Sequence, residues 1–232
     1  MTETLTRGFA QLGITPDPDA YRRFEAYYRL LEDRGRVMNL TAISGETETA
    51  RMHFLDSAAL LTLAELSGAS VIDVGTGAGF PGLPLKICRP DIRLTLLDSL
   101  RKRIDFLSEV CGAIGFDDVQ CIHARAEEKM EMRESFDFAV SRAVARLNLL
   151  CELCLPFVKV GGAFIAMKGS GAKAEANEAG RAVSILGGRI EKICEYEIPE
   201  TGIIHRAVII RKEKPTPEKY PRRFAKMQKD PL

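Results

Sequence analysis

From residue 70 onward, short apolar segments alternate with segments of helical periodicity. Such alternation produces a mainly parallel sheet with helices on both faces, because parallel strands need long crossover connections. The final two strands have no helix between them, so we expect an antiparallel hairpin at the sheet edge. The predicted strands are 70–74, 92–97, 118–122, 136–140, 163–167, 189–197 and 205–211, with helices at 81–88, 101–114, 144–158 and 173–186.

The first 68 residues have mostly helical patterns. Apolar spacing predicts a helix from residue 21 that Gly35 ends, and a second helical stretch over 46–66. We therefore expect an N-terminal helical region at 1–68, an α/β domain at 69–213 and a basic tail at 214–232, all within one compact unit.

The composition of the 232 residues suits one soluble domain, with 46% hydrophobic and 28% charged residues. No apolar run approaches the roughly 20 residues of a membrane helix, and the first residues do not resemble a signal peptide. We expect a cytoplasmic protein with no membrane contact. A monomer is expected, since no apolar stripe suggests an interface.

The six cysteines lie in apolar neighbourhoods. Cys151 and Cys154 are spaced like half of a zinc site or a redox pair, but no second Cys or His pair completes a zinc site. We expect both thiols to lie in the core, and we expect no metal.

The charge of the chain is +1, yet residues 211–232 hold eight basic and three acidic residues. A basic segment can neutralise nucleic-acid phosphates, but it can equally form a solvated, poorly ordered tail. Charge alone favours neither of these two alternatives.

A glycine-rich loop, Asp-Val-Gly-Thr-Gly-Ala-Gly at 73–79, directly follows the first strand. Glycines permit positive φ angles and close approach to a ligand, and open α/β sheets bind ligands at this edge. The candidate binding residues of the loop are Asp73, Gly75, Gly77 and Gly79.

Asp98 ends the second strand, 23 residues after Gly75. A carboxylate at that position can accept hydrogen bonds from both hydroxyls of an adenosine ribose. A dinucleotide-binding oxidoreductase shares this acid but usually has G-x-G-x-x-G, whereas Phe80 follows the glycines here. Asp73, two residues before the first glycine, favours S-adenosylmethionine. A tight turn without a ligand is the weakest alternative.

The predicted fold is therefore α/β, of the class I S-adenosylmethionine methyltransferase type: Rossmann-like, seven-stranded and mainly parallel with an antiparallel last strand, plus a small N-terminal helical segment. The fourth strand of this architecture ends facing the transferred methyl group. No Asn-Pro-Pro-Tyr or Pro-Cys sequence occurs there, which argues against amino-group methylation of adenine or cytosine and against C5 methylation through a cysteine adduct.

Several segments together resemble the glucose-inhibited division protein B family, also called ribosomal RNA small subunit methyltransferase G. The resemblance covers nearly the whole chain. It rests on NLTAI at 39–43, HFLDS at 53–57, DVGTGAGFPGLPL at 73–85, LDSLRKR at 97–103, SRAVA at 141–145 and YPRR at 220–223, with Ala126-Glu127, Lys168-Gly169 and His205-Arg206.

The resemblance implies methylation of guanine N7 in 16S ribosomal RNA or the small ribosomal subunit, at guanosine 527 in the usual rRNA numbering. It implies cofactor contacts at Gly75, Phe80, Ala126, Glu127 and Arg142. Three positions depart from the family pattern: Met38 replaces a usual tryptophan, and Ala225 and Met227 replace a glycine and a proline in the tail.

Guanine N7 carries no proton, so we expect no general base and assign Arg142 a positioning role. The candidates for contact with RNA are Asn39, Thr41, His53, Lys168, Arg222, Arg223, Lys226 and Lys229. His53 is equally compatible with partial burial in a helix. Two other classes of protein stay open: a methyltransferase acting on another RNA, a small molecule or a protein, and a non-catalytic nucleotide-binding or RNA-scaffold protein.

Overall fold

The computed structural model describes residues 1–38, 40–142 and 145–232, without the side chains of residues 36–38 and 130. The predicted RNA contact Asn39 lies outside the described residues. So does the start of the predicted helix 144–158.

Seven strands form one sheet in the order β3-β2-β1-β4-β5-β7-β6. The strands from β1 to β5 pair in parallel, while β7 runs antiparallel to both β5 and β6. The predicted edge hairpin is confirmed. The strands are β1 Ser70–Val74, β2 Arg93–Asp98, β3 Gln120–His123, β4 Phe136–Arg142, β5 Val158–Lys168, β6 Gly188–Glu197 and β7 Ile204–Lys212.

Helices cover both faces of the sheet, as the alternating pattern predicts. One apolar core joins β1 and β2 to the N-terminal helices, α5 and α6, and a second core packs α7 and α8 on the other face. The α-helices are α1 Thr2–Leu12, α2 Ala20–Met38, α3 Glu46–Thr49, α4 Asp56–Ala58, α5 Gly82–Cys88, α6 Arg101–Ile114, α7 Leu147–Cys154, α8 Ala172–Ile185 and α9 Phe224–Lys229.

Two predicted helix bounds are wrong. Gly35 does not end α2, which continues to Met38. A glycine inside a helix costs only about 1 kcal/mol, and the buried Phe24, Tyr27 and Leu31 on the same helix outweigh it. The stretch predicted as a helix over 46–66 changes instead to a π-helix at Ala50–Leu55 and ends with a 3₁₀ turn at Ala59–Thr62.

The boundary between α7 and β5 also differs from the prediction. The α-helix ends at Cys154, a 3₁₀ turn follows, and β5 begins at Val158, five residues before the predicted strand. Gly161 and Gly162, which precede the predicted strand, lie within the observed one. A Cβ atom on Gly162 would stand 2.4 Å from the carbonyl oxygen of Asp137, so glycine here permits close pairing with β4.

The predicted burial of the two cysteines is confirmed, since Cys151 and Cys154 are both fully buried as free thiols. Burial raises the pKa of both thiols. Within the described residues, no helix is long and apolar enough to cross a membrane.

Residues 213–232, which we call the C-terminal segment, are folded against the second face of the sheet. Arg133 donates hydrogen bonds to the carbonyl oxygens of Thr216 and Tyr220, and Met227 is fully buried in the second core. The alternative of a poorly ordered tail is therefore wrong, because apolar and charged side chains of this segment have partners on the domain.

Candidate cofactor and active site

A cavity of about 460 Å³ opens at the carboxyl ends of β1, β2, β3 and β4. Its volume lies within the range of roughly 300–1,000 Å³ that is usual for small-molecule and cofactor sites. The glycine-rich loop forms one wall, with Gly75 and Gly77 at φ angles of 70° and 62°. A Cβ atom on Gly77 would point into open space, so the positive φ, and not crowding, accounts for glycine at this position.

Asp73 and Gly79 lie behind the loop and do not line the cavity. Asp73 Oδ2 accepts hydrogen bonds from Thr76 Oγ1 and from the backbone N–H of Gly82, both at 2.8 Å. Burial raises the pKa of Asp73 to about 7. A side chain on Gly79 would collide with the Tyr27 hydroxyl. These two residues therefore shape the loop from behind.

Asp98 lines the cavity at the end of β2, as the ribose argument requires. Its Oδ2 accepts hydrogen bonds from the Gly77 N–H at 3.0 Å and from Arg103 at 3.2 Å, and its Oδ1 accepts one from the Leu100 N–H at 2.9 Å. A carboxylate offers about four acceptor positions. Asp98 is thus fixed in place and retains acceptor capacity for a ribose hydroxyl.

The β3 end of the cavity is lined by both charged and apolar residues. The predicted residues Ala126 and Glu127 line it, on the 3₁₀ turn that follows β3. Leu153 of α7 and Phe224 of the C-terminal segment also line the cavity. The sequence did not predict Phe224, because 98 positions separate Ala126 from it along the chain.

At the opposite end of the cavity lies Arg142, the last residue of β4. Its guanidinium carbon lies 4.7 Å from the ring centre of Phe80. The His53 ring stacks on the Phe80 ring, and the two ring centres lie 4.4 Å apart. The structure therefore brings together three residues that the sequence proposed for the site.

His53 is held in one protonation state. Burial and the positive charge of Arg142 lower its pKa to about 3, so the ring is neutral at physiological pH. Arg142 Nη2 lies 3.0 Å from His53 Nδ1, and since a guanidinium can only donate, Nδ1 must accept. The ring proton is then on Nε2, which donates to Thr41 Oγ1 at 2.7 Å. His53 has no free lone pair to act as a base.

Asp56, which the sequence did not single out, connects three parts of the fold. Its carboxylate is 1% exposed. Oδ2 accepts a hydrogen bond from Arg142 at 3.2 Å, while Oδ1 accepts from Tyr196 at 3.0 Å and lies 2.9 Å from His205 Nδ1. A charged residue inside the apolar HFLDS segment was the available signal, because a buried carboxylate needs partners.

A second cavity of about 630 Å³ adjoins the first. His53 and Arg142 line both cavities, so these two side chains stand where the cavities meet. Apolar side chains line part of the second cavity, among them Met52 and Met167, and the polar His205 lines it too. This arrangement can hold a donor molecule in one cavity and an acceptor in the other.

Two predicted RNA contacts, Lys168 and Arg222, already have protein partners. Lys168 Nζ donates to Glu175 Oε2 at 2.8 Å and to the carbonyl oxygen of Ala145 at 2.6 Å. Arg222 forms a bidentate ion pair with Glu152, at 2.7 and 2.8 Å, and Glu152 is 1% exposed.

By contrast, Arg223, Lys226 and Lys229 are exposed, and they form no ion pair within the described part of the chain. Their charges are available to a partner.

Comparisons with known proteins agree with this geometry. The family model described as rRNA small subunit methyltransferase G matches residues 20–204. The curated relative of that name from Pelotomaculum thermopropionicum is 48% identical over 236 residues, covering 100% of this chain and 99% of its own length. The relative from Clostridium botulinum is 47% identical, covering 91% of this chain and 90% of its own.

Solved structures share the fold at low sequence identity. TrmN from Thermus thermophilus superposes with a TM-score of 0.55 at 20% identity, over 68% of this chain and 48% of its own. TYW2 from M. jannaschii, solved in complex with AdoMet, gives a TM-score of 0.56 at 12% identity, over 74% of this chain and 79% of its own.

The predicted class I methyltransferase fold is thereby confirmed, and so is S-adenosylmethionine as the cofactor. The family model and the full-length relatives together show that the chain belongs to the rRNA small subunit methyltransferase G family.

Proposed function

We propose that this chain methylates N7 of a guanine in 16S ribosomal RNA, guanosine 527 in the usual rRNA numbering. The observation that carries the proposal is the junction of the two cavities. The groups placed there, His53 and Arg142, can position a base but cannot take up a proton. The names of the curated relatives support an RNA of the small ribosomal subunit as the substrate.

The chemistry of N7 fits a site without a base. N7 of guanine is an acceptor with a lone pair and no hydrogen. When bound, S-adenosylmethionine supplies an electrophilic methyl group on a sulfonium. Transfer of this group to guanine would form the N7–carbon bond as the sulfur–carbon bond breaks, and it would release no proton. An amino group as acceptor would instead have to lose a proton, and His53 Nδ1 is already occupied by Arg142.

Within the first cavity, we assign the cofactor to the loop around Gly75 and Gly77, to Asp98, and to the turn at Ala126 and Glu127. The apolar walls and the polar groups of the second cavity would receive the base, with Arg142 between the two. Holding two reactants in line lowers the barrier without any acid or base, because their translational and rotational entropy has already been lost on binding.

The ion pair between Arg142 and Asp56 serves a charge-balancing role in this proposal. Arg142 is a largely buried cation beside the place where a cationic sulfonium is to bind, and such proximity is unfavourable in a low-dielectric site. The Asp56 carboxylate, 3.2 Å from the Arg142 guanidinium, offsets that repulsion. Arg142 can then orient its neighbours without repelling the cofactor.

The exposed cations of the C-terminal segment supply a surface for the RNA. Arg223 and Lys226 adjoin the cofactor cavity through Phe224, which lies between them in sequence and lines it. Contacts with phosphates fix position without reading sequence. We further propose that the chain acts as a monomer in the cytoplasm, where small subunits are available.

The test uses labelled S-adenosylmethionine with two substrates from a strain lacking the gene: intact small subunits and protein-free 16S RNA. After digestion, we expect label only in 7-methylguanosine, mapped to position 527. Subunits from the parent strain, which are already methylated, should accept none and serve as the control. Label in another nucleoside, or in none, would contradict the proposal. The ratio between the two substrates shows which one the enzyme uses.

A further inference from the structure

Phe224 lies on a part of the chain that the sequence associated only with RNA. It is the first residue of α9, within the C-terminal segment, and its side chain is half-buried. It lines the cofactor cavity together with Ala126 and Leu153, and it packs against the second core. We propose that Phe224 is a cofactor-binding residue, which covers the adenine of S-adenosylmethionine.

The position of Phe224 is fixed by strong contacts on both sides. Two residues before it, Arg222 makes its bidentate ion pair with buried Glu152 and also donates to the carbonyl oxygen of Asp230 at 3.0 Å. Three residues after it, Met227 is fully buried. Bidentate arginine–carboxylate pairs are among the strongest and most directional protein contacts. The ring is thus held at the cavity by the fold.

The order of the strands shows which part of the cofactor reaches Phe224. Across the sheet, β3 stands at one end of the cavity, β2 and β1 follow, and β4 stands at the other end. Asp98, which we assign to the ribose, ends β2, and Arg142, which we place beside the methyl group in the proposed function, ends β4. The adenine must therefore extend from Asp98 toward the β3 side, where Phe224 and Ala126 lie.

An aromatic ring is a suitable partner for that group. Aromatic side chains stack on nucleic-acid bases because every base presents a flat π face, and alanine substitution of such rings weakens binding by about tenfold or more. Ala126 and Leu153 provide the remaining apolar surface. In this proposal, the turn after β3 and the C-terminal segment together bind the adenine at the β3 end of the cavity.

The test measures binding of S-adenosylmethionine and of S-adenosylhomocysteine to the full-length chain by calorimetry, without RNA. Phe224→Ala and Phe224→Leu should both weaken binding about tenfold, whereas Phe224→Tyr should stay within about threefold of the unmodified chain. Leucine keeps the apolar packing of α9 and so guards against loss of the fold. Lys229→Ala, on the same helix but lining neither cavity, is the matched control and should bind normally.

The two ligands distinguish adenine from sulfonium. Both carry the same adenosine, so an adenine contact predicts the same loss of affinity for each. A loss confined to S-adenosylmethionine would place Phe224 at the sulfonium and overturn the proposal, as would Phe224→Leu binding within twofold of the unmodified chain. Because the proposal rests on the cofactor part of the proposed function, absence of binding by the unmodified chain would overturn it too. A different RNA target would leave it intact.

Discussion

Asp56 and Arg142 face each other across the junction of the two cavities, 3.2 Å apart, although 86 positions separate them in sequence. The same carboxylate is hydrogen-bonded to Tyr196 and His205 of the edge hairpin. The orientation of Arg142 therefore depends on the helical region, on β4 and on the hairpin at once. In the proposed function, Asp56 is a positioning residue that holds the Arg142 guanidinium in place.

Replacing Asp56 with asparagine keeps the shape and removes the charge. Breaking a buried ion pair by neutralising one partner leaves the other uncompensated, and we expect a loss of about 3–5 kcal/mol in the free energy of unfolding. The uncompensated Arg142 should also repel the sulfonium, so affinity for S-adenosylmethionine should fall more than affinity for S-adenosylhomocysteine, whose sulfur carries no charge. Calorimetry with both ligands measures this difference. Equal losses of affinity for the two ligands would show that Asp56 has only a structural role.

Replacing Arg142 with alanine should lower kcat about 100-fold, because a small misplacement of reacting atoms has effects of that order. The Phe80 and His53 contacts both depend on the guanidinium plane, so Arg142→Lys should restore charge but only part of the rate. Single-turnover kinetics on the small subunit, combined with cofactor binding, measure the effect. Unchanged cofactor affinity and turnover in Arg142→Ala would eliminate the positioning role.

His53 and Asp73 should make opposite contributions to the pH dependence of stability. The pKa of His53 falls from 6.5 to about 3, so the folded state binds fewer protons than the unfolded state between these values. Its contribution to stability is full above about pH 6.5 and is lost as the pH falls. The pKa of Asp73 rises from 3.8 to about 7, so its contribution is lost as the pH rises through that range.

Both groups change the free energy of unfolding between about pH 4 and pH 6.5. The slope of that free energy against pH is at most about 1.4 kcal/mol per pH unit for each group. In urea unfolding, the stability of His53→Gln relative to the unmodified chain should therefore increase on acidification from pH 7 to pH 5. The stability of Asp73→Asn should change in the opposite direction. Parallel pH profiles for all three chains would show that neither group titrates in this way.

Charge reversal in the C-terminal segment should separate residues that serve the fold from residues that bind RNA. Arg223→Glu and Lys226→Glu should weaken RNA binding and lower the slope of log K against log salt by about one per lost phosphate contact, with cofactor binding retained. Arg222→Glu should instead destabilise the chain, because Glu152 would be left buried beside a like charge. Filter binding across salt concentrations, with exposed Arg181→Glu on α8 as control, gives the slopes. Slopes equal to that of the control would argue against phosphate contacts at Arg223 and Lys226.

Much of the fold was predictable from local patterns. Apolar strands such as 70–74, the loop glycines and the acid at Asp98 lie within short segments whose periodicity and spacing carry the information. The wrong bounds at Gly35 and at the start of β5, where the observed strand includes Gly161 and Gly162, share one cause. A glycine that usually interrupts an element is tolerated when tertiary packing stabilises the helix, or is required when two strands approach closely.

The site was less predictable where its residues depend on distant partners. Nothing in the sequence around Asp56 shows that Tyr196, His205 and Arg142 converge on it. In the same way, a run of basic residues gives no sign that Arg222 is neutralised by Glu152 while its neighbour Arg223 is not. Such pairings are properties of the three-dimensional arrangement and need the coordinates.

The cofactor cavity is closed at one end by Thr41 and His53 and at the other by Phe224, which lie some 170 positions apart along the chain. Contacts between such distant segments must overcome a large loop-closure entropy, so they are expected to form late in folding. A refolding chain should therefore regain its sheet before it regains affinity for cofactor. Bound S-adenosylmethionine should in turn slow hydrogen exchange in the π-helix Ala50–Leu55 and in α9 together, because the ligand would contact both regions although they are far apart in sequence.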